Sequence, residues 1–258
     1  MSGSWRKVAS KARRKARSKA RDLAEGRPLP GMPGWRRSNL GYVFILTYGR
    51  SGSTLLQGIL DSIPGYLIRG ENRGVLYQLY KFHSTVVARK KELQSDFKRL
   101  QVSDALPSTH AWYGLDGYPD DLALRDMRRL VLDTILRPTA RTRVTGFKEI
   151  RWSQKDLDQY IGFIRALFPG ARFIVNTRSH EAVSQSLWWA EDPDALTKIK
   201  QREDQLLQIA ERLGDSAYRV HYDDYVADPT VLRGLFDWLG EDFDEAAVRR
   251  TLDRKHSV

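Results

Sequence analysis

The stretch from Tyr42 to Gly65, YVFILTYGRSGSTLLQGILDSIPG, constrains this chain more than any other. It opens on a short apolar run, Tyr42-Val43-Phe44-Ile45-Leu46, bounded by turn residues, as a buried strand is. The chain turns at Tyr48-Gly49-Arg50-Ser51-Gly52 and resumes at Ser53-Thr54 with Leu55, Leu56, Ile59, Leu60 and Ile63 at helical spacing. A strand, a glycine turn and a helix N-terminus together form an anion site. The first N–H groups of the helix lack intrahelical partners, and the helix dipole favours negative charge there. Gly49 and Gly52 allow close approach of backbone to an anion, Arg50 adds a fixed charge, and Ser51, Ser53 and Thr54 add hydroxyl donors.

The same texture recurs along the chain. Short strands are predicted at Tyr66–Arg69, Arg143–Lys148, Arg172–Thr177 and Ser216–His221. Helices are predicted from Val75 to Ser84, from Asp156 to Phe168, from His180, over 194–213, from Pro229 to Leu239 and from Asp244 to Leu252. Alternating strands and helices imply an α/β fold with a parallel sheet. Residues 84–141 break the rhythm: charged helical stretches lead into SDALPSTHAWYGLDGYPDD, which carries His110, Trp112, Tyr113 and Tyr118. Irregular segments of this length tend to carry function, so 84–141 reads as a helical and loop insertion. Gly26 to Arg37, with three prolines and three glycines, reads as a linker. The expected organisation is a basic arm and linker over residues 1–37 and one domain over 38–258.

The Walker A loop, G-x-x-x-x-G-K-[ST], does not fit, because no lysine follows Gly52 and the charge precedes it on Arg50. Thr47-Tyr48-Gly49-Arg50-Ser51-Gly52-Ser53-Thr54-Leu55-Leu56 instead resembles the phosphosulfate loop of the sulfotransferases, in the R-S-G-S/T-T form of the carbohydrate and protein-tyrosine branch. A second segment, FIVNTRSHEAVSQSLWWA, resembles that family's 3′-phosphate motif, with Arg178 at the end of a strand and Ser186 at the expected spacing. Ser179-His180 stands where the family usually has Asp-Pro. RVTGFKEIRW, LFPGARFIVNTR, VHYDDYVADP and the C-terminal DWLGEDFDEAAVRRTL, ending in His256-Ser257, resemble further family segments, so the likeness spans roughly residues 40–258.

The resemblance implies a P-loop-type parallel sheet flanked by helices. It also implies an enzyme that moves a sulfonate from 3′-phosphoadenosine 5′-phosphosulfate (PAPS), as co-substrate, to a hydroxyl of a carbohydrate, glycolipid or small natural product, without a metal. By the same resemblance Arg50, Ser51, Gly52, Ser53, Thr54, Arg178, Ser186 and Tyr222 would hold the donor. Arg50 and Lys148 would stabilise the transferring group, and Glu71, in Arg69-Gly70-Glu71-Asn72, would accept the hydroxyl proton. His83 and His110 are the alternative bases, and the insertion over 84–141 would lie on the acceptor side. Glu149 and Arg151 pair with each other or face the acceptor. Two rival readings are a P-loop nucleotide kinase-like enzyme and a non-catalytic, membrane-associated nucleotide-binding protein.

Composition narrows the setting. The chain has no cysteine, so disulfides and thiolate chemistry are excluded, and its five histidines show no H-x-x-x-H or H-E-x-x-H spacing. No apolar run suits a membrane span or a secretory signal, so a cytoplasmic protein is expected. Of the formal net charge of +11, about +8 lies in residues 1–27, leaving the rest near +3, so no specific nucleic-acid partner is expected. Residues 5–25 read as a basic helix with Trp5, Val8, Ala12, Ala16, Ala20 and Leu23 on one stripe. Such an arm suits peripheral contact with an anionic membrane face, contact with nucleic acid, or simple solvation.

Overall fold

A computed structural model describes residues 40–100 and 106–254. The basic arm, the linker, His256 and Ser257 lie outside the described residues. Five parallel strands run β1 Gly41–Leu46, β2 Tyr66–Arg69, β3 Val144–Glu149, β4 Arg172–Thr177 and β5 Ala217–His221, in the spatial order β2-β3-β1-β4-β5. Among them run α1 Ser53–Asp61, α2 Val75–Leu100, α3 Asp120–Val131, α4 Leu157–Leu167, α5 His180–Ser184, α6 Ala195–Leu213, α7 Tyr222–Ala227, α8 Arg233–Leu239 and α9 Glu245–Leu252. This is the α/β sheet flanked by helices that the alternating sequence pattern predicts.

The apolar run of β1 is continuous because both of its faces are covered. Successive side chains of a strand point to opposite faces. Val43 and Ile45 pack with Leu56, Ile59 and Leu60 of α1 and with α8 and α9. Phe44 and Leu46 pack on the other face with Phe147, Phe173 and side chains of α2, α4 and α6. Gly146 in β3 lies so close to β1 that an added Cβ would stand 1.6 Å from the Val43 carbonyl oxygen, so no side chain fits there.

Strand order places the site. From β1 the chain crosses through α1 to β2 at one edge, and from β4 it proceeds to β5 at the other. Adjacent strands whose connections leave in opposite directions open a crevice at their carboxyl ends, where open α/β sheets bind ligands. Here those strands are β1 and β4, with Leu46 in register with Val175. The glycine loop after β1 and Arg178 after β4 flank that crevice.

Several boundaries differ from the sequence reading. The helix expected to stop at Ser84 runs on to Leu100, because residues 85–100 contain neither glycine nor proline to end it. Beyond the main core, Leu93 and Phe97 of this extension pack with Leu106 in a separate small cluster. The helix from His180 is only five residues long. It ends before Ser186, and Leu187 takes a positive φ of 48° that a continuing helix does not allow. The α7 turn after β5 and a short π-helical segment, Leu132–Leu136, were not predicted.

Candidate active site

The loop after β1 is held from below by buried polar contacts. Thr47 donates from Oγ1 to the Asn176 carbonyl at 2.7 Å, and Asn176 returns a 2.8 Å bond from Nδ2 to the Ser51 carbonyl. The Tyr225 hydroxyl fixes the Asn176 amide at 3.1 Å. Tyr48 lies fully buried beneath the turn, where its hydroxyl accepts the Arg178 N–H at 3.0 Å and bonds Glu203. Burial pushes the Tyr48 phenol well above its usual pKa. It stays neutral and keeps a proton to donate. The loop after β1 and the start of the segment after β4 are thereby locked together.

Within this frame Arg50 and Gly52 both adopt left-handed backbone, with φ of 70° and 74°. Tight turns with left-handed residues let successive N–H groups converge on an anion. A non-glycine residue at positive φ costs energy, and such outliers gather at functional sites. Gly52 has a second constraint: an added Cβ would lie 2.0 Å from Cδ2 of Tyr222, whose ring lies directly on the turn. Gly49 is crowded likewise by Trp188, 2.7 Å from its would-be Cβ. The neighbouring Trp189 indole N–H donates to the Gly49 carbonyl at 3.1 Å.

Arg50 and Ser186, 136 residues apart in sequence, are in contact: the Arg50 Nε donates to Ser186 Oγ at 2.9 Å. Arg178 reaches over the same turn, donating from Nη1 to the Arg50 carbonyl at 3.1 Å, with its guanidinium carbon 4.4 Å from the centre of the Tyr222 ring. Its Nε is buried and, among the described residues, has no hydrogen-bond partner; it forms only a long ion pair with Asp223, at 3.9 Å. A buried charged donor without a hydrogen bond, beside a loop of this shape, fits an incoming phosphate oxygen. Ser179, in place of the family's Asp, caps α5 by accepting the Ala182 N–H through its hydroxyl at 3.3 Å. The departure at Ser179-His180 therefore affects the turn and leaves Arg178 in place.

On the other side of the loop stands the second charged group. Lys148 emerges at the end of β3, largely buried, and its Nζ lies 2.7 Å from Glu71 Oε1 and 3.5 Å from Thr54 Oγ1. Glu71 keeps about a third of its side chain exposed, with Arg151 Nη1 at 3.7 Å. Glu149 does not face the cleft. It is buried, and its carboxylate accepts the backbone N–H groups of Asn72, Gly74, Ile150 and Arg151 at 2.9–3.2 Å. It ties the segment after β2 to the segment after β3 and so fixes Glu71 opposite Lys148. Its pairing with Arg151, at 3.4 Å, is the alternative the structure adopts.

These groups surround one cleft of about 300 Å³, lined among the described residues by Arg50, Lys148, Arg178 and Arg254 against the carboxylate of Glu71. Gly52, Ser53, Thr54 and Tyr222 also line it. Ser51 and Ser186 stand behind its wall. The Ser51 hydroxyl is buried 2.5 Å from Thr47 Oγ1, and Ser186 holds Arg50. Among the described residues, no histidine lines the cleft. His83 sits on α2 against Tyr118, 3.1 Å from its hydroxyl, and burial lowers its pKa. His110 lies in the loop before α3, with Trp112 and Tyr113 exposed beside it. Tyr48, Asn176 and Trp188 escaped the sequence reading. The aromatic pair Trp188-Trp189 just after Ser186 was the available signal for the last. Among the described residues, no three His, Asp or Glu side chains gather as a metal site would require, and no helix is long and apolar enough to cross a membrane.

A sequence model of the sulfotransferase family matches residues 43–245. The chain belongs to that family and is a sulfotransferase. Among solved structures, the sulfotransferase domain of the Synechococcus PCC 7002 olefin synthase aligns with a TM-score of 0.51 at 22% identity, covering 83% of this chain and 78% of that one. It supports the fold. The sulfotransferase domain from the curacin biosynthetic pathway aligns with a TM-score of 0.49 at 15% identity, over 84% of this chain and 79% of that one. No curated protein sequence matches the chain.

Proposed function

We propose that the protein transfers a sulfonate from 3′-phosphoadenosine 5′-phosphosulfate to a hydroxyl of a carbohydrate, glycolipid or small natural product. The observation that carries this reading is the meeting, at one sheet edge, of two phosphate-type groups and one acid–base pair. Arg50 and the first turn of α1 would take the 5′-phosphate, and Arg178, with its orphan Nε, the 3′-phosphate. Ser186 would act by holding Arg50. Tyr222 would fix Arg178 and close the loop. Lys148 would meet the sulfonate.

The chemistry asks for position and charge rather than for new covalent bonds to the protein. A bond forms between the acceptor oxygen and sulfur. The bond from sulfur to the 5′-phosphate oxygen breaks, and its electron pair leaves with adenosine 3′,5′-bisphosphate. Glu71 accepts the hydroxyl proton. Lys148 and Arg50 stabilise the charge that grows on the leaving oxygen. The Lys148–Glu71 pair holds both groups in place before the substrates arrive.

The deciding measurement is a titration with adenosine 3′,5′-bisphosphate beside AMP. The bisphosphate binds far more tightly, and Arg178→Ala removes most of that preference, since a charge-assisted phosphate contact is worth about 1.5–3 kcal/mol. Equal affinity for AMP and the bisphosphate in the unaltered chain sinks the donor assignment.

Residues 1–37 serve as an arm distinct from the domain over 38–258, and the arm brings a cytoplasmic enzyme to an anionic membrane face. Its charge, about +8 within residues 1–27, supports this reading. Deleting residues 1–27 leaves bisphosphate binding intact and abolishes sedimentation with phosphatidylserine vesicles, which salt also weakens. Vesicle binding that survives the deletion assigns the contact elsewhere.

A further inference from the structure

The segment Glu71–Gly74 has two sides. One presents Glu71 to Lys148 in the charged cleft. The other closes an apolar groove of about 430 Å³ between α2 and the end of α3, floored by Phe147 of β3. That volume lies within the usual range of small-ligand sites, about 300–1,000 Å³. Val75 and Phe82 on the α2 wall and Leu130 on the α3 wall are each more than half exposed, a concentration of open apolar surface that solvent disfavours. The groove also contains an unmet polar group. Asn72 accepts the Val75 N–H through Oδ1 at 3.2 Å, while its Nδ2 is buried and, among the described residues, has no hydrogen-bond partner. A buried amide donor with no acceptor costs about 1–3 kcal/mol. A bound oxygen would recover that cost.

Asn72 and Glu71 are consecutive, and Glu149 pins the backbone of this turn through the N–H groups of Asn72 and Gly74. The groove and the carboxylate are thus held at a fixed relation. We infer that the groove is the acceptor's binding site, and that the acceptor is an alcohol or phenol carried on an apolar alkyl or aryl body. The body lies between Phe82 and Leu130, an oxygen of the acceptor takes the Asn72 amide, and the reacting hydroxyl passes over the turn to Glu71. This rests on the sulfotransfer reading above and narrows it. A bare sugar would leave the apolar walls exposed and bring hydroxyls where nothing pairs with them. The α3 wall belongs to residues 84–141, the segment whose irregular texture marks it as an insertion.

The test uses the full chain saturated with adenosine 3′,5′-bisphosphate and measures 2-naphthol binding by equilibrium dialysis. Methyl β-glucoside serves as the polar competitor. Naphthol binds, and the glucoside does not displace it. Leu130→Lys and Phe82→Lys, both at exposed positions, each weaken naphthol binding by about tenfold or more. Asn72→Asp, which keeps the cap on Val75 and loses the donor, weakens it as well. Bisphosphate affinity stays the same in all three. Naphthol binding that ignores all three substitutions, or glucoside that binds more tightly than naphthol, overturns the acceptor assignment while leaving the donor reading intact. Substitution-sensitive naphthol binding in a chain that fails to bind the bisphosphate overturns the donor reading, and the acceptor role falls with it.

Discussion

Glu71→Gln lowers turnover by about a hundredfold or more, the scale of a lost general base, with affinity for adenosine 3′,5′-bisphosphate nearly unchanged. The amide keeps the shape of the side chain and still offers an oxygen to Lys148, 2.7 Å from Glu71 Oε1 in the unaltered chain. What it loses is the ability to take a proton. Lys148→Ala also slows turnover, by a different route: the positive charge that meets the transferring group is gone. The two variants separate by their interaction. If the carboxylate and the ammonium act as one unit, the double variant is little slower than either single one. Glu71→Gln at near-normal turnover, with His83→Ala inactive, would make a histidine the base. That outcome would require α2 to move, since His83 does not line the cleft.

Much of this site was legible because its chemistry is local. A strand, a glycine turn and a helix start within thirteen residues of one another mark a candidate anion loop without tertiary information. Arg178 follows from the same logic applied to β4. Glu149 shows where local reading stops. Its sequence neighbours, Lys148 and Arg151, leave it free to face the acceptor or to pair. Only the fold reveals that four backbone N–H groups from two separate segments converge on it. Ser51 is the opposite case. Its place in the motif suggests a donor to phosphate, but the hydroxyl is turned inward to Thr47 because the Asn176 network fills the underside of the loop. Helix α2 outran its predicted end for a simpler reason: no breaker follows Ser84, and a propensity argument that stops at the apolar residues cannot see a helix continued by charged ones. The groove between α2 and α3 was invisible to sequence because its two walls, from Val75 to Phe82 and from Leu130 to Ile135, come from segments far apart in the chain.

Gly52→Ala is expected to cut bisphosphate affinity more than tenfold and to lower the unfolding midpoint. Two costs arrive together. Alanine at a φ of 74° is strained, by about 1–2 kcal/mol for a residue forced into left-handed backbone. Its methyl also falls on a fixed ring, with Tyr222 Cδ2 at 2.0 Å and Cγ at 2.9 Å from the added carbon. Overpacking of this kind costs about 1–3 kcal/mol. The ring is not free to yield without consequence, because Arg178 rests on its face at 4.4 Å. Moving Tyr222 therefore displaces the guanidinium that would hold the 3′-phosphate, and the effect on binding exceeds what the turn alone accounts for. A second substitution isolates that step. Tyr222→Leu in the Gly52→Ala background relieves the clash and recovers part of the midpoint. It does not recover bisphosphate affinity, because the aromatic support of Arg178 is still missing. Unaltered affinity in Gly52→Ala would mean that the ring lies off the turn in solution, and that Arg178 is positioned by its bond to the Arg50 carbonyl alone.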